Sequence, residues 1–536
     1  MRDAVEPPRN SVLAGTHLVV SSHPLVSAAG DRVLADGATA VDATLAMAAM
    51  SWIALPGQCG VGGDAFAIVR EPDGTIWTIG GSGYGPDGGF PDFYREHEWN
   101  ALPLTGTFAV AAPGAMGAMS SLHARGATRG LDELWAPAIA AARRGLPCTA
   151  KNRADILDYE TVLRHDDGTR DMFLRQGRAP QIGERLPQPE LARTLWLLAK
   201  DPDALYVGEF ADRAVAALVD AGAPFSGDEW EASGTPLCGP AIAGDYGEYV
   251  IHETPLPTPG WMVLQQAALC DGTLPDQPWL SAPAVDRMAM ASRRAFRDRF
   301  ARCGSDSTAW SELLEPSAVR AARSELDSSA RGLATAGLQP DGDTTSTLAV
   351  DAEGRAVSFI HSLAFTFGAR ITVPGTGIVL NNRLGRGAYL IDGHPNEVRP
   401  RRRPLHTLNA WIVTGREGKL VHAGNTPGGD GQVQWNMQLM SHLVDHDRDP
   451  QEAVSAPRFT VYPGSDADSL DGPDVLVCES RLDDATIAGL RERGHHVREI
   501  GPWEAGGSAL IASVDHERGC LAGGADPRQD GVALGG

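Results

Sequence analysis

Cysteine is sparse in this chain and nowhere clustered. Seven residues, Cys59, Cys148, Cys238, Cys270, Cys303, Cys478 and Cys520, stand far apart, with no CxxC pair among them. An odd number at such spacing argues against a disulfide framework and against a zinc knuckle. A reducing compartment suits it best, so a cytoplasmic location is expected. Long apolar runs are missing too: none approaches the roughly 18 residues of a membrane-spanning helix. Met1 to Leu13 carries Pro7-Pro8 and several charges where a signal peptide would have an apolar core, so none is expected. Positive charge is in deficit, with 46 Lys and Arg against 68 Asp and Glu and a formal net charge of −22. That balance argues against non-specific binding to nucleic acid or to an anionic membrane; a simpler reading is that it keeps the protein soluble. His23, His361 and His406 fit no helical HxxxH or zinc spacing. No metal or other cofactor is expected, and the chain has no internal repeat.

What is present is a long alternation of strands and helices across 536 residues. His17–Ser22 reads as a strand. Val41–Leu55 reads as a helix, acidic at its start where the dipole favours negative charge and apolar nearly all round, hence buried. Gly57 to Asp64 is glycine-rich but leads into the apolar run Ala65–Val69, a strand, which weakens a phosphate-binding reading. Close backbone packing under a site is the alternative. Leu131–Gly145, Gln188–Lys200 and Glu209–Ala221 have apolar residues at helical spacing. Pro283–Cys303 is a helix crowding Arg293, Arg294, Arg297 and Arg299, which reads as a solvated face of ion pairs. Arg320–Gly342 is rich in Ser, Gly, Ala and Asp and reads as a linker. Thr344–Val350 and Arg355–Ser362 flank Asp351-Ala352-Glu353-Gly354 and read as a hairpin.

The first strand of that hairpin opens on Asp343-Thr344-Thr345-Ser346-Thr347. β propensity alone can explain a threonine-rich strand edge. A threonine hydroxyl becomes a nucleophile when a base stands beside it, and the threonine's own α-amino group, freed by cutting the chain before it, is such a base. Its ordinary pKa of roughly 8 suits proton transfer near neutrality. Further on, Pro427-Gly428-Gly429 precedes a helix at Val433–Val444. It is either a plain turn or a pair of backbone donors for an oxyanion.

Taken together, several of these pieces resemble the γ-glutamyltranspeptidase family, a branch of the N-terminal-nucleophile (Ntn) hydrolases. The pieces are Ala40-Val41-Asp42-Ala43; Gly60-Val61-Gly62-Gly63-Asp64-Ala65-Phe66; Thr344-Thr345; the Asp351–Gly354 turn; Thr366-Phe367-Gly368; and Thr376-Gly377-Ile378-Val379-Leu380-Asn381-Asn382. Pro427-Gly428-Gly429, Gly507-Ser508 and Ala525-Asp526-Pro527-Arg528 follow in the family's order. The resemblance implies an α+β fold, a four-layer α/β/β/α sandwich formed jointly by both segments of a precursor. It implies self-cleavage of the Asp343–Thr344 bond into a large segment, 1–343, and a small one, 344–536, that stay assembled. It makes Thr344 nucleophile and, through its amine, base. It makes Ser362, eighteen residues on, a supporting hydroxyl, and Gly428 and Gly429 the oxyanion hole.

The substrate pocket departs from the family pattern. The Arg that grips a glutamyl α-carboxylate aligns with Ser82, and no acid follows Asn381-Asn382, where Arg383 and Arg386 stand. The family's paired serines become His406-Thr407, and Asn two positions after the supporting hydroxyl becomes Ala364. Arg383, Arg386, His406 and Thr407 are therefore the expected substrate contacts. Arginines there repel an ammonium and welcome a carboxylate; surface ion pairing is the alternative for the two. The expectation is a threonine amidohydrolase or acyltransferase acting on a small non-glutamyl amide with a carboxylate, as oxamate amidohydrolases and cephalosporin acylases of this superfamily act on non-glutamyl amides. A glutathione hydrolase with anchors from elsewhere, such as the Arg-rich helix, and a non-catalytic ligand-binding homologue are the other readings. The expected partner is a small molecule, with neither nucleic acid nor membrane.

Overall fold

The computed structural model describes residues 10–328, 344–462, 464 and 474–536. Two seven-stranded antiparallel sheets carry the architecture. The first runs in the order Val532–Gly535, Leu18–Ser21, Thr345–Val350, Ala356–Ser362, Asp64–Arg70, Ile76–Gly81 and Leu237–Pro240. The second runs Val12–Ala14, Cys520–Ala525, Leu510–Asp515, Leu420–Asn425, Ala410–Gly415, Tyr249–Glu253 and Ile242–Tyr246. Helices Pro24–Ala35 and Ala40–Ala54 cover the outside of the first sheet, and Gly260–Cys270, Ala282–Arg302 and Gly431–Met440 the outside of the second. This is the four-layer α/β/β/α sandwich that the resemblance implied.

Side-chain alternation sorts each strand between two cores. Leu18, Val20, Phe66, Ile68, Leu348, Val350 and Ile360 point between the sheets and meet Leu408, Ala410, Ile412, Leu510 and Ala512 of the other. Their neighbours Val19, Ala65, Ala67, Ala349, Val357 and Phe359 point outward into the helical layer. Helix Ala40–Ala54 fills that layer with every residue buried. Its start is fixed by a capping box, in which Thr39 accepts from the Asp42 amide and Asp42 accepts from the Thr39 amide. Burial pushes the Asp42 carboxyl up. Hydrogen bonds from Thr128, Thr39 and Arg129 more than offset this and hold it below its usual range.

Two sequence expectations need correction. The first part of the supposed linker is the helix Pro316–Ser328, with Pro at its first position and Ala322 and Leu326 buried; the rest, with Asp343, lies outside the described residues. The Arg-rich helix is a solvated, ion-paired face only in part. Arg294 and Arg297 lie near Glu325, and Arg293 pairs with Asp474. Arg299, however, is buried and donates to the His406 carbonyl at 3.3 Å. Among the described residues no helix is long and apolar enough to cross a membrane.

Candidate active site

Hairpin register brings the first pair together. Val350 lies opposite Ala356 beyond the Asp351–Gly354 turn, and the same register carried up the strands sets Thr345 opposite His361. One pair further, Thr344 Oγ1 donates to Ser362 Oγ at 3.1 Å, with both residues buried. The neighbouring strand continues the row, for Ser362 is directly opposite Asp64, and Ala65 is opposite Gly81, which puts Ser82 beside Asp64. Residues opposed across antiparallel strands share a face. By the alternation above, Thr344, Ser362 and Asp64 all face the gap between the sheets.

The second sheet supplies Gly428 and Gly429 at that end of the sandwich. Ser358 Oγ donates to the Gly424 carbonyl at 2.8 Å, and Asn425 Nδ2 donates to Ser358 Oγ at 2.9 Å. The strand Leu420–Asn425 thus runs in the direction of Ser362, and the glycines follow it. A second link closes from the other side. Ser21 is opposite Thr347, the next residue Ser22 hydrogen-bonds Ser508 at 2.7 Å, and the Ser508 amide donates to the Pro427 carbonyl at 3.3 Å. Gly428 at φ 132° and Gly429 at φ 57° both hold left-handed backbone suited to glycine. Their carbonyls accept from the Gly431 and Gln432 amides. Among the described residues no acceptor faces their own N–H groups. The helix proper begins at Gly431 with Asp430 as N-cap, so the pair lies just ahead of the first turn and not inside it.

Arg383, Arg386, His406 and Thr407 are all buried, which removes the surface-ion-pair reading. Asn381 and Asn382 set the arginines in place. Asn381 Oδ1 accepts from the Arg383 and Ala111 amides, while Asn382 Oδ1 accepts from Phe365 and its Nδ2 donates to Leu104. Arg383 Nε then stands 3.5 Å from Asp64 Oδ2. Arg386 Nη1 donates to the Ala364 carbonyl at 3.0 Å, and its guanidinium lies over the Phe365 ring at 4.3 Å. His406 Nε2 is 2.9 Å from Ser82 Oγ and 3.7 Å from Asp64 Oδ2.

Two residues here were missed from the sequence. An acid does stand beside Arg383, and it is Asp64, from the Gly60–Phe66 segment. The other is Arg299, which reaches the His406 backbone from the helical layer. Burial pushes the Asp64 carboxyl up to about 6, against the pull of Arg383 and the Gly83 amide. Burial, reinforced by Arg383, Arg299 and Arg386, holds the His406 ring well below its usual range, hence neutral at pH 7. At Ala364 there is no polar side chain. Its backbone instead takes φ 88° and its amide donates to Ser362 Oγ at 2.8 Å, orienting the hydroxyl that receives Thr344. Among the described residues no group of three His, Cys, Asp or Glu could hold a metal ion.

With this geometry in view, comparison with known proteins places the chain. The family profile of gamma-glutamyltranspeptidase matches residues 26–536. A glutathione hydrolase-like YwrD proenzyme of Bacillus subtilis is 32% identical, covering 98% of this chain and 99% of that protein. An oxamate amidohydrolase proenzyme of Klebsiella pneumoniae is 31% identical over 97% of this chain and 98% of its own. A cephalosporin acylase from Bacillus halodurans superposes with a TM-score of 0.90 at 28% identity, covering 100% of this chain and 99% of that one. The chain belongs to the γ-glutamyltranspeptidase family and is an amide-bond hydrolase of the Ntn type.

Proposed function

We propose that this protein is a self-processed threonine amidohydrolase that cleaves a small non-glutamyl amide carrying a carboxylate. The observation that carries the reading is the row Thr344–Ser362–Asp64 with Arg383 against it, buried between the sheets. In processing, Thr344 Oγ attacks the Asp343 carbonyl, the C–N bond breaks, and the acyl group moves to oxygen. Water then hydrolyses the ester, leaving an Asp343 carboxylate and a free Thr344 amine. The products are segments 1–343 and 344–536. They share both sheets strand by strand, so they remain one body: Thr345–Val350 sits between Leu18–Ser21 and Ala356–Ser362.

In turnover, the Thr344 amine takes the Oγ proton as Oγ attacks the substrate carbonyl. The oxyanion is received by the N–H groups of Gly428 and Gly429, each worth about 3–4 kcal/mol of barrier. The amine returns the proton to the leaving nitrogen, and water repeats the sequence on the acyl-enzyme. Ser362 holds Thr344 Oγ1 by the hydroxyl–hydroxyl contact at 3.1 Å, fixes its rotamer and, in the processed enzyme, donates to it so that the Thr344 proton is left to the amine. Arg383 and Arg386 attract the substrate carboxylate, with neutral His406 and Thr407 as polar contacts. The relative named an oxamate amidohydrolase supports a small carboxylate-bearing amide.

A second reading, glutathione hydrolysis, draws on Asp64, an acid that could meet an α-ammonium, and on the relative named glutathione hydrolase-like. Oxamate and γ-glutamyl-p-nitroanilide, assayed side by side for ammonia and p-nitroaniline release, separate the two. For the reaction type, purified protein should run as two bands, the smaller starting Thr-Thr-Ser-Thr, and Thr344→Ala should be uncut and inactive. Full activity from an unbroken chain overturns the proposal.

A further inference from the structure

Two glycines side by side make a mobile turn, and oxyanion donors accelerate a reaction only when fixed beforehand. What fixes this turn is Trp435. It belongs to helix Gly431–Met440 and is 2% exposed. The benzo edge of its indole is so close to three glycine backbones that a Cβ on Gly428, Gly431 or Gly507 would collide with it. The turn after Pro427 and the loop at Gly507 therefore lie on one aromatic plate.

The plate is itself held. Its Nε1 donates to Thr460 Oγ1 at 2.9 Å, and the Arg458 guanidinium stands 5.0 Å from the ring centre. Arg458 Nη1 donates to the Gly506 carbonyl at 2.8 Å and its other nitrogen pairs with Asp526. One arginine thus ties the Gly506–Ser508 loop to the plate, and the Ser508 amide ties that loop to Pro427.

We propose that Trp435 is a positioning residue for the oxyanion turn, acting on the reaction through Gly428 and Gly429. This rests on the functional reading above. A Trp that merely filled core would affect stability and leave the chemical step alone; a Trp that aims the two N–H groups affects kcat and leaves substrate affinity alone.

The test uses the processed enzyme with its best amide substrate, and Trp435→Phe, Trp435→Leu and Thr460→Val. Phe keeps a ring under the glycines but drops the Nε1 bond; Leu removes the plate; Thr460→Val removes the bond alone. Expected are kcat losses of about tenfold or more for Leu and less for Phe and Val, with KM within about twofold throughout. Should Trp435→Leu fail to fold, Phe and Val carry the test, and both must still lower kcat. Folded, cleaved variants with wild-type kcat, or with the loss confined to KM, overturn the inference. If instead Thr344→Ala retains full activity, the functional reading itself has failed, and that outcome is distinct from the first.

Discussion

Asp64→Asn should gain stability relative to the wild type as the pH rises to neutrality, and should be a worse enzyme. In the native fold the carboxyl is fully buried and its pKa is pushed up from 3.8 to about 6, with Arg383 already counted. A raised carboxyl pKa means the folded state holds the proton more tightly than the unfolded chain. This stability term is therefore full below pH 4 and is lost as pH rises through 6. About two pK units correspond to about 3 kcal/mol. Asn mimics the protonated form and does not titrate. The variant's stability minus the wild type's should thus rise by about 3 kcal/mol between pH 4 and pH 7, whatever constant offset the amide's own hydrogen bonds add. Only the difference is diagnostic. The buried rings of His361, His422 and His442 are pushed down to about 3, 4 and 3, and they lower stability as pH falls from 6.5. Urea unfolding followed by tryptophan fluorescence at the two pH values measures it. A difference that does not change with pH would show that Asp64 titrates normally and would refute the argument. At pH 7 the same variant should lose about tenfold or more in kcat/KM, because the charge that holds Arg383 is gone.

Gly428→Ala places a methyl against the Trp435 ring on backbone at φ 132°, and kcat should fall by about a hundredfold or more with KM little changed in steady-state assays. Arg383→Lys keeps the charge beside Asp64 but loses the planar fork; kcat/KM for a carboxylate-bearing amide should drop about tenfold to a hundredfold while a neutral analogue changes less. Trp52→Ala removes a buried ring that stacks edge-on to Trp135 at 5.3 Å and donates to His361, and chemical denaturation should show a loss of about 3–5 kcal/mol.

The resemblance places Ser362 beside Thr344, and the hairpin gives the physical reason for it. A turn at Asp351–Gly354 between two apolar runs sets a register, and that register alone delivers Ser362 to Thr344. Asp64 was not legible, although its segment was read, because its place opposite Ser362 depends on pairing between strands far apart in the chain. Arg299 looked like its neighbours on a charged helix; only tertiary packing buries it. The stretch 320–328 reads as linker because Ser, Ala and Asp are frequent there, although it continues a helix that opens at Pro316 and buries Ala322 and Leu326. The sandwich itself was read from resemblance, since periodicity separates strand from helix but does not say which faces meet.

Two buried ionic clusters in this protein differ in a way that bears on function. Around Asp526 and Glu479 the charges are closely met. Arg528 Nη2 reaches Glu479 at 2.6 Å, Arg528 Nη1 reaches Asp526 at 3.1 Å, and the Ala509 amide donates to Asp526 at 2.8 Å. Burial pushes Asp526 up, yet Arg458 and Arg528 hold it below its usual value. Around Asp64 the Arg383 guanidinium stands off at 3.5 Å and the neutral His406 ring at 3.7 Å, and desolvation wins. A purely structural ion pair would be driven toward the first arrangement, since an incompletely met buried charge is costly. The second arrangement stands opposite Ser362 and beside Thr344, and a buried carboxyl whose pKa is raised toward neutrality is what active sites collect and structural ion pairs avoid.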